Sequence, residues 1–318
     1  MQVYKNIRDL LGDTASVVTM GTFDGVHRGH QEIVRSVRSI AQEKNLRSVL
    51  ITFDPHPREV LGNNGQQLFL LTTIQERTSL LEPLGIDACV VIPFTRTFSL
   101  LSAEEFFEEI IVARTNAKHI VIGYDHKFGK GRGGDATALK RIATTKGIDV
   151  TIVPALMSGS QQISSTTIRK ALYDGDLATA TECLGRPFSV HGIILRGEGL
   201  GKRIGFPTAN VHVESLRKIL PRHGVYISRM KCQKEIFHGV VNVGVKPTVT
   251  EGKEVSIEMF LLDFDRDIYG ANVEVEFLTR LRDEVKFDSI DALIGQIHAD
   301  ADAARAFFGA HTEQTINV

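Results

Sequence analysis

Two histidines three residues apart, His27 and His30, are the first residues of this sequence whose types and spacing suggest chemistry. They lie in the stretch GTFDGVHRGH, residues 21–30. An imidazole in such a place either binds a metal ion or donates a hydrogen bond to a phosphate. The stretch follows the apolar run VVTM (17–20) and precedes a run of helical periodicity. The histidines are therefore predicted to lie where a strand passes into a helix.

The start of a helix favours phosphate over metal. Its unpaired N–H groups and partial positive charge attract anions. The glycines of the stretch let the backbone approach a bulky anion. A metal site would need a third ligand, for which His56 in DPHP is available, so this alternative stays open. Surface histidines on a tight turn are the third interpretation.

The first half of the chain alternates short apolar runs with helical patterns. The predicted strands are VVTM (17–20), SVLITF (48–53), ACVVIP (88–93), HIVIG (119–123) and VTIVP (150–154). The predicted helices lie near 30–44, 73–83, 102–113 and 135–147. Continuous apolar runs are typical of strands buried on both faces. The alternation predicts a doubly wound α/β domain, Rossmann-like in its architecture, in which ligands bind at the carboxyl ends of the strands.

After LGRP (184–187) the apolar period changes to about two, which predicts an antiparallel β-barrel or sandwich. A closing helix is predicted over 289–308, and GAHTEQTINV (309–318) is interpreted as a loose tail. The predicted domains are residues 1–185 and 186–318.

Composition excludes several classes of protein. The 318 residues carry a net charge of −1, so there is no overall field for nucleic acid or anionic lipid. Three scattered cysteines without a CxxC pair argue against a disulfide framework or zinc ribbon. No secretory signal or membrane-spanning apolar run is visible. The expectation is a cytoplasmic protein with small-molecule partners and with neither nucleic acid nor membrane.

Three further polar stretches follow predicted strands in order. TFDPHPREV (52–60) follows the second strand, GYDHKFGKGRGGD (123–135) the fourth and ISSTTIRKAL (163–172) the fifth. Each also has a plainer interpretation: a proline-fixed turn, a flexible basic loop and a helix N-cap, respectively. In the second half, GEGLGKRIGFPTANV (197–211) is glycine-rich but is not a Walker A loop.

GTFDGVHRGH resembles the signature of the flavin-type nucleotidyltransferases. With the three stretches above and with GFPTAN in the second half, the chain resembles the bacterial bifunctional riboflavin kinases/FMN adenylyltransferases over essentially its whole length. The resemblance implies an N-terminal nucleotidyltransferase domain, a C-terminal riboflavin-kinase barrel, the substrates riboflavin, FMN and ATP, and Mg²⁺ as cofactor.

For the first domain, the resemblance implies that FMN phosphate attacks the α-phosphorus of ATP with help from His27, His30 and Arg169. A phosphate monoester is already mostly dianionic at pH 7, so no general base is needed. The implied nucleotide-binding residues are Gly21, Phe23, Asp24, His27, His30, Asp125, Ser164, Ser165, Thr166 and Arg169. The implied flavin-binding residues are Asp54, His56, Pro57, Phe128 and Arg132. The loop with Lys130 and Arg132 is interpreted as a mobile flap near the nucleotide.

For the second domain, the resemblance implies that Glu258 is the base that activates the riboflavin hydroxyl, although an outward-facing strand glutamate is the commoner case. Thr208 and Asn210 are implied as Mg²⁺ ligands. The implied nucleotide-binding residues are Gly201, Lys202, Gly205, Thr208 and Asn210, and the implied flavin-binding residues are Arg282 and Phe287. The sequence departs from the family pattern at Lys202, Lys246 and Phe260.

Three alternative functions remain at this point. The first is an adenylyltransferase whose barrel binds flavin but is inactive. The second is a tRNA-charging or RNA-binding protein, because HxGH also occurs in class I aminoacyl-tRNA synthetases, although a KMSKS-type loop and a basic stripe are missing. The third is a metal-binding regulatory protein.

Overall fold

The computed structural model describes residues 1–10, 12–62, 68–197, 199–245 and 255–315, and only the backbone of residues 132, 200, 202 and 311–315. The chain forms two compact units, Met1–Ser165 and Thr166–Val318. The first unit contains an open parallel sheet, and the second contains a closed barrel.

The strands of the first unit are β1 (Gln2–Tyr4), β2 (Ser16–Met20), β3 (Arg47–Asp54), β4 (Ala88–Pro93), β5 (Ala117–Gly123), β6 (Lys127–Phe128), β7 (Gly134–Asp135), β8 (Asp149–Val153), β9 (Met157–Ser158) and β10 (Gln161–Gln162). Six of them form the central sheet in the order β1-β4-β3-β2-β5-β8, with every neighbouring pair parallel. The five predicted strands and the doubly wound fold are confirmed. The edge strand β1 was not predicted, because three residues are too few to show a period.

The helices of the first unit are α1 (Arg28–Glu43), α2 (Pro57–Leu61), α3 (Ile74–Leu81), α4 (Ala103–Phe106), α5 (Ala113–Thr115) and α6 (Ala136–Thr144). A π-helical segment, Phe107–Val112, joins α4 to α5. The four predicted helices are confirmed within a few residues at each end. The short helix α2, which follows the second predicted strand, was not predicted.

Two hydrophobic clusters cover the two faces of the sheet. Val17 of β2 packs in the cluster that contains Val34 and Val37 of α1. Its neighbour Val18 packs in the other cluster, with Phe106 and Phe107. Consecutive side chains of a strand point to opposite faces, so both faces are buried. This explains why the strands read as unbroken apolar runs, and it leaves the polar residues at the strand ends.

The basic loop predicted as a flap is folded as a hairpin. β6 and β7 pair antiparallel, with a 3₁₀ turn at Lys130–Arg132 between them. The Lys130 amide donates to the Leu101 carbonyl oxygen at 2.7 Å. A Cβ added at Gly129 would lie 2.7 Å from the backbone nitrogen of Ala103. The base of the hairpin is therefore bound to the segment that precedes α4.

The strands of the second unit are β11 (Phe188–Leu195), β12 (Thr208–His212), β13 (Gly224–Cys232), β14 (Glu235–Val245), β15 (Val255–Leu261) and β16 (Asn272–Arg282). They form a closed barrel in the order β11-β12-β15-β14-β13-β16, antiparallel throughout. The predicted antiparallel barrel is confirmed. The helices of this part of the chain are α7 (Ser165–Asp174), α8 (Leu177–Leu184), α9 (Leu200–Arg203) and α10 (Ile290–Thr315).

The predicted closing helix is confirmed, but the loose tail is wrong for its first part. α10 continues to Thr315 instead of ending near Phe308. Phe307 and Phe308 pack against the barrel cluster of Val225, Ile227 and Val240. This contact anchors the helix beyond the last predicted turn, and no proline follows to end it. No helix among the described residues has the length and apolar character that crossing a membrane requires.

A ladder of charged side chains crosses the outside of the barrel over β11, β16 and β13. Glu274 faces the His191 imidazole at 3.7 Å and the Lys231 ammonium at 3.2 Å. Glu276 binds Lys231 and Arg229. The interaction with His191, followed by the hydrogen bond from Ser189 and the charge of Lys231, lowers the pKa of Glu274 to about 2.

We expect the ladder to make the free energy of unfolding depend on pH. Since the folded pKa of Glu274 lies below its unfolded value of about 4.5, its ionised form stabilises the fold above that pH, and the contribution is lost as the pH falls towards 2. Glu274→Gln removes the ionised carboxylate and should lower the free energy of unfolding at pH 7 by about 1–2 kcal/mol. The effect is no larger because solvent screens this half-buried group. Urea unfolding from pH 7 to pH 3 would show the difference from wild type shrinking on acidification.

Glu235→Gln is the matched control, because Glu235 forms an exposed ion pair with Arg266. Such a pair contributes about 0–1 kcal/mol. A constant difference between wild type and Glu274→Gln across the pH range would contradict the ladder as the cause.

Candidate active sites

The loop between β2 and α1 has an unusual backbone. Phe23, Gly25 and Val26 all have positive φ, of 48°, 86° and 41°. A positive φ is rare for a bulky residue and rarer for a β-branched one, and each costs about 1–3 kcal/mol. Such a backbone persists only when its surroundings hold it. The sequence showed the glycines of this loop but not the left-handed Phe23 and Val26.

The Asp24 carboxylate holds this loop in place. It is 1% exposed. Its Oδ2 accepts from the Leu71 amide at 3.1 Å, and its Oδ1 accepts from the Thr72 amide at 3.0 Å and from the Thr72 hydroxyl at 3.2 Å. The Thr72 hydroxyl oxygen in turn accepts from the Gly25 amide at 3.0 Å. The structure thus places Asp24 as an anchor of the loop, and a nucleotide contact by Asp24 stays a prediction.

The two histidines lie together at the start of α1, as the sequence predicted. His27 is the N-cap, and its Nδ1 accepts from the His30 amide at 3.3 Å. The proton of a neutral His27 is therefore on Nε2. The rings of His27 and His30 stack with centroids 3.6 Å apart, and Phe23 lies 5.0 Å from the His30 ring. This arrangement suits a rigid pair of donors.

The pKa of His30 lies well below its usual value. Burial is the main cause, and the charges of His27 and Arg77 add to it. Its Nδ1 is buried and has no hydrogen-bond partner among the described residues. His30 therefore stays a neutral imidazole at physiological pH, able to donate one hydrogen bond without gaining charge.

Arg77 is a residue of this site that the sequence analysis missed. Its side chain is 1% exposed, and Nη1 donates to the Thr52 hydroxyl at 3.0 Å and to the Phe53 carbonyl oxygen at 3.2 Å. A signal for its position was present: the pattern T-x-x-E at Thr73–Glu76 is a capping box, and both of its hydrogen bonds form. The box fixes where α3 begins and hence where Arg77 projects.

The other predicted residues at the end of β2 and β3 occupy ordered positions. The Gly21 amide donates to the Ile51 carbonyl oxygen at 3.0 Å, which joins the ends of the two strands. Asp54 is the last residue of β3. His56 is buried and caps α2, accepting from the Arg58 amide at 3.1 Å, while Pro57 is the first residue of that helix. DPHP is thus a helix start as well as a candidate flavin contact.

The predicted residues after β5 are divided between surface and core. Asp125 is exposed in the turn that follows the strand. Phe128 is 7% exposed, and its ring packs in the core, 6.0 Å from the ring of Phe106. The Arg132 side chain lies outside the described part of the structure. A flavin contact by Phe128 or Arg132 stays a prediction.

The serine-threonine stretch divides between the two units. Ser164 and Ser165 end the first unit, and the Ser165 hydroxyl donates to the Asp24 carbonyl oxygen at 2.9 Å. This bond brings Ser165 to the histidine loop, as the prediction required. Thr166 and Arg169 lie in α7, within the second unit.

In the second unit, the register of the barrel brings the predicted kinase residues together. Glu258 of β15 lies directly opposite Asn210 of β12 and Asn242 of β14. Its neighbours Ile257 and Met259 are buried, so Glu258 points to the outside of the barrel. The Thr208 hydroxyl lies 3.5 Å from the Glu258 carboxylate. Asn242, which the sequence analysis did not single out, donates to Glu284 at 3.1 Å.

The glycine-rich segment before β12 lies against these residues. A Cβ on Gly197 would come within 2.3 Å of the side-chain amide nitrogen, Nδ2, of Asn210. A Cβ on Gly201 would come within 2.3 Å of the Phe206 carbonyl oxygen and 3.3 Å of the Thr208 hydroxyl. Gly205 has a φ of 88°. Glycine is therefore needed here for close approach and for a left-handed turn.

Of the three residues at which the chain departs from the family pattern, the structure describes the side chain of one, Phe260. Phe260 packs its ring 5.3 Å from the ring of Phe206, itself in contact with His298 of α10. Lys246 and the side chain of Lys202 lie outside the described part of the structure.

Arg282 and Phe287, predicted to bind flavin, form part of one cluster. The Arg282 guanidinium binds the buried Asp300 of α10 with two nitrogens, at 3.1 and 2.7 Å. It also lies 5.9 Å from the centre of the Phe287 ring. The structure places Arg282 as the anchor of the segment after β16, and a direct flavin contact stays a prediction.

Comparison with known proteins decides the family. The family model described as FAD synthetase matches residues 11–167, and the model described as riboflavin kinase matches residues 184–308. The bifunctional riboflavin kinase/FMN adenylyltransferase of Listeria monocytogenes is 37% identical, over 93% of this chain and 93% of the relative. The chain belongs to this family. The Bacillus subtilis member is 38% identical, over 92% of each chain.

A solved structure from Streptococcus pneumoniae, described as a macrolide-efflux protein, is also similar. It has a TM-score of 0.86 and 35% identity, and the match covers 95% of this chain and 98% of that one. The efflux activity is part of that protein's description, whereas both family models that match this chain are named for flavin enzymes. Because both models match, the family supports two activities over the alternative of an inactive barrel.

The metal alternative has no support in the described part of the chain. There, no group of three or more histidine, cysteine, aspartate or glutamate side chains could hold a metal ion. His56 uses its Nδ1 to cap α2.

We expect the loop that carries the histidines to tolerate no side chain at Gly25. A Cβ there would lie 2.7 Å from the Leu71 Cδ1, and φ is positive. Gly25→Ala should cost about 2–4 kcal/mol of unfolding free energy, the sum of a left-handed alanine and overpacking of a buried leucine. Urea unfolding of the full chain, followed by circular dichroism, would measure it.

Gly147→Ala is the matched control, because Gly147 also has a positive φ but nothing lies within 4 Å of the added Cβ. It should cost about 1–2 kcal/mol. Equal losses in the two variants would show that Leu71 yields without cost, and that the loop is held less firmly than its contacts indicate.

Proposed function

We propose that this chain carries out two successive steps of flavin cofactor synthesis. The barrel transfers the γ-phosphoryl group of ATP to riboflavin and forms FMN. The α/β unit transfers the adenylyl group of a second ATP to FMN, forming FAD and pyrophosphate. The observation that carries this proposal is the presence of both polar constellations on the two folds that the two family models match.

For the adenylyl transfer, an oxygen of the FMN phosphate attacks the α-phosphorus of ATP, and pyrophosphate leaves. No protein base is needed, so the residues act by positioning and by stabilising charge. The stacked His27 and His30 would donate hydrogen bonds to the phosphate oxygens. Ser164 and Ser165, at the end of the same unit, would complete the anion site. We also assign Thr166 and Arg169 of α7 to nucleotide binding. The buried, pre-organised loop supports this, because donors that are already fixed need no reorganisation during the reaction.

For the kinase step, the Glu258 carboxylate would accept the proton of the riboflavin 5′-hydroxyl. The oxygen then attacks the γ-phosphorus of ATP, and ADP leaves. The half-buried position of Glu258 supports this role, because the strand register places it opposite Asn210 and Asn242, and the Thr208 hydroxyl lies 3.5 Å from its carboxylate. Gly201, Lys202 and Gly205 would bind the nucleotide phosphates. The segment that carries Arg282 and Phe287 would cover the flavin.

The residues beside Glu258 suit Mg²⁺. The Thr208 hydroxyl, the Asn210 amide and the Glu258 carboxylate are hard oxygen donors on one face of two adjacent strands. Thr208 and Asn210 would hold the ion. When bound, Mg²⁺ neutralises charge on the ATP phosphates.

We assign residues 1–185 to the adenylyltransferase domain and 186–318 to the kinase domain, with α7 and α8 joining the two matched ranges. We also propose a cytoplasmic location, which the scarcity of cysteines in the sequence supports.

Two incubations with ATP and Mg²⁺, one with riboflavin and one with FMN, test the function when the flavins are separated by chromatography. We expect FAD in both. Glu258→Gln should slow FMN formation by about 10²–10⁴-fold because it removes the base, and leave adenylylation of added FMN intact. His27→Asn keeps an N-cap acceptor but removes the imidazole, so FMN should accumulate from riboflavin while FAD formation falls about 10²–10³-fold.

Glu235→Gln, at the exposed end of β14, is the control for a strand glutamate away from the site and should behave as wild type. FAD from FMN alone in the wild-type enzyme would establish the inactive-barrel alternative. FAD in neither tube would overturn the flavin assignment as a whole.

A further inference from the structure

Arg77 is a buried cation whose hydrogen bonds reach both halves of the first site. Its guanidinium donates to the Thr52 hydroxyl and the Phe53 carbonyl oxygen at the end of β3. The Thr52 hydroxyl in turn donates to the Thr22 carbonyl oxygen at 3.0 Å. Arg77 is therefore connected through one side chain to the loop that carries the two histidines.

The segment that supplies Arg77 also holds the same loop from the other side. Leu71 and Thr72 bind the Asp24 carboxylate. The capping box of Thr73 and Glu76 then starts α3, which places Arg77 one residue after the box. A strained loop needs surroundings that determine its shape. Residues 71–77 meet that need through backbone amides, one hydroxyl and one guanidinium.

A buried guanidinium is costly, and here the acidic groups near it compensate. Burial lowers the pKa of Arg77, while Asp24, Asp54, Cys89 and Glu59 act in the opposite direction. These are the charged or titratable groups that face it from the loop, β3, β4 and α2, respectively. His30 is faced by His27 and Arg77, and both act with burial to lower its pKa. The Arg77 Nε is buried and has no hydrogen-bond partner among the described residues.

We propose that Arg77 is a positioning residue for FMN adenylylation, which holds the histidine loop through its hydrogen bond to Thr52. The proposal rests on the adenylyltransferase function proposed above. Arg77 acts through the Thr52 hydroxyl and the Thr22 carbonyl oxygen on the loop that carries His27 and His30, whose imidazoles would donate to phosphate in the right place only while the loop keeps its geometry.

The charge of Arg77 contributes to the position of the acid limb of the pH profile. Burial is the main cause of the lowered pKa of His30, and the charges of His27 and Arg77 act in the same direction. Arg77→Met removes one of these positive charges, so the pKa of His30 should rise and the acid limb should move to higher pH.

The test measures FMN adenylylation by the full chain from pH 5 to pH 8 for wild type, Arg77→Met and Arg77→Lys. For Arg77→Met we expect kcat to fall about 100-fold, with KM for FMN and ATP changed less than about 3-fold, as for a small misplacement of catalytic groups. Its acid limb should move to higher pH. Arg77→Lys keeps the charge but not the planar fork, so the limb should return towards wild type while kcat stays reduced.

Two controls separate positioning from stability. Leu81→Ala empties a fully buried site on the same helix and should destabilise the unit without moving the acid limb. Riboflavin kinase activity of the same chain reports on the second unit and should be unchanged in every variant. If Arg77→Met does not fold, Arg77→Lys still decides the matter through its lowered kcat.

A kcat within about 3-fold of wild type in both arginine variants, or an acid limb that stays in place in a folded Arg77→Met, would overturn the proposal. These outcomes differ from failure of the proposed function, in which the wild-type chain itself would form no FAD from FMN.

Discussion

Two buried charges in the first unit, the Asp24 carboxylate and the Arg77 guanidinium, constrain everything else at its site. A buried charge is stable only when it is paired or fully hydrogen-bonded. Asp24 satisfies this requirement by accepting from Leu71 and Thr72. Arg77 donates from Nη1 to the end of β3, and nearby groups, Asp24 and Asp54 first, offset part of the cost of burying its charge. The segment between these residues is thereby bound to the histidine loop. The energy that this network supplies allows Phe23 and Val26 to keep a left-handed backbone, which in turn sets the start of α1.

The barrel solves the same problem with strand register instead of buried charge. Antiparallel pairing places Glu258 opposite Asn210 and Asn242, so strand register alone aligns polar residues of three strands. A shift of one residue would turn Glu258 into the core, where an ionised carboxylate would be very costly. The two sites therefore differ in kind. The site of the first unit depends on a left-handed loop conformation that neighbouring residues hold, whereas the site of the barrel depends on the register of its strands.

Much of the fold and part of each site could be predicted from sequence. The apolar runs located the central strands, the change of period located the barrel, and the HxGH spacing located the start of α1. The prediction of a loose tail was wrong for residues 309–315, where α10 continues. Phe307 and Phe308 pack against the barrel near this end of the helix, and no local pattern records that contact. The resemblance implied Asp24 and Phe128 as binding residues, which stays a prediction. No local pattern records that the first is tied to the chain near Thr72 or that the second packs in the core.

The sequence by itself determined the fold class, the order of the main elements, the family and the position of the two polar centres along the chain, because these depend on periodicity and on short local motifs. The tertiary structure alone decided what holds those centres: Arg77 bound to Thr52, the left-handed Phe23 and Val26, Asn242 opposite Glu258, and the pairing of Arg282 with Asp300. Each of these joins residues far apart in the chain or depends on a backbone angle. No residue type encodes such a contact until burial brings its partner within a hydrogen bond's length.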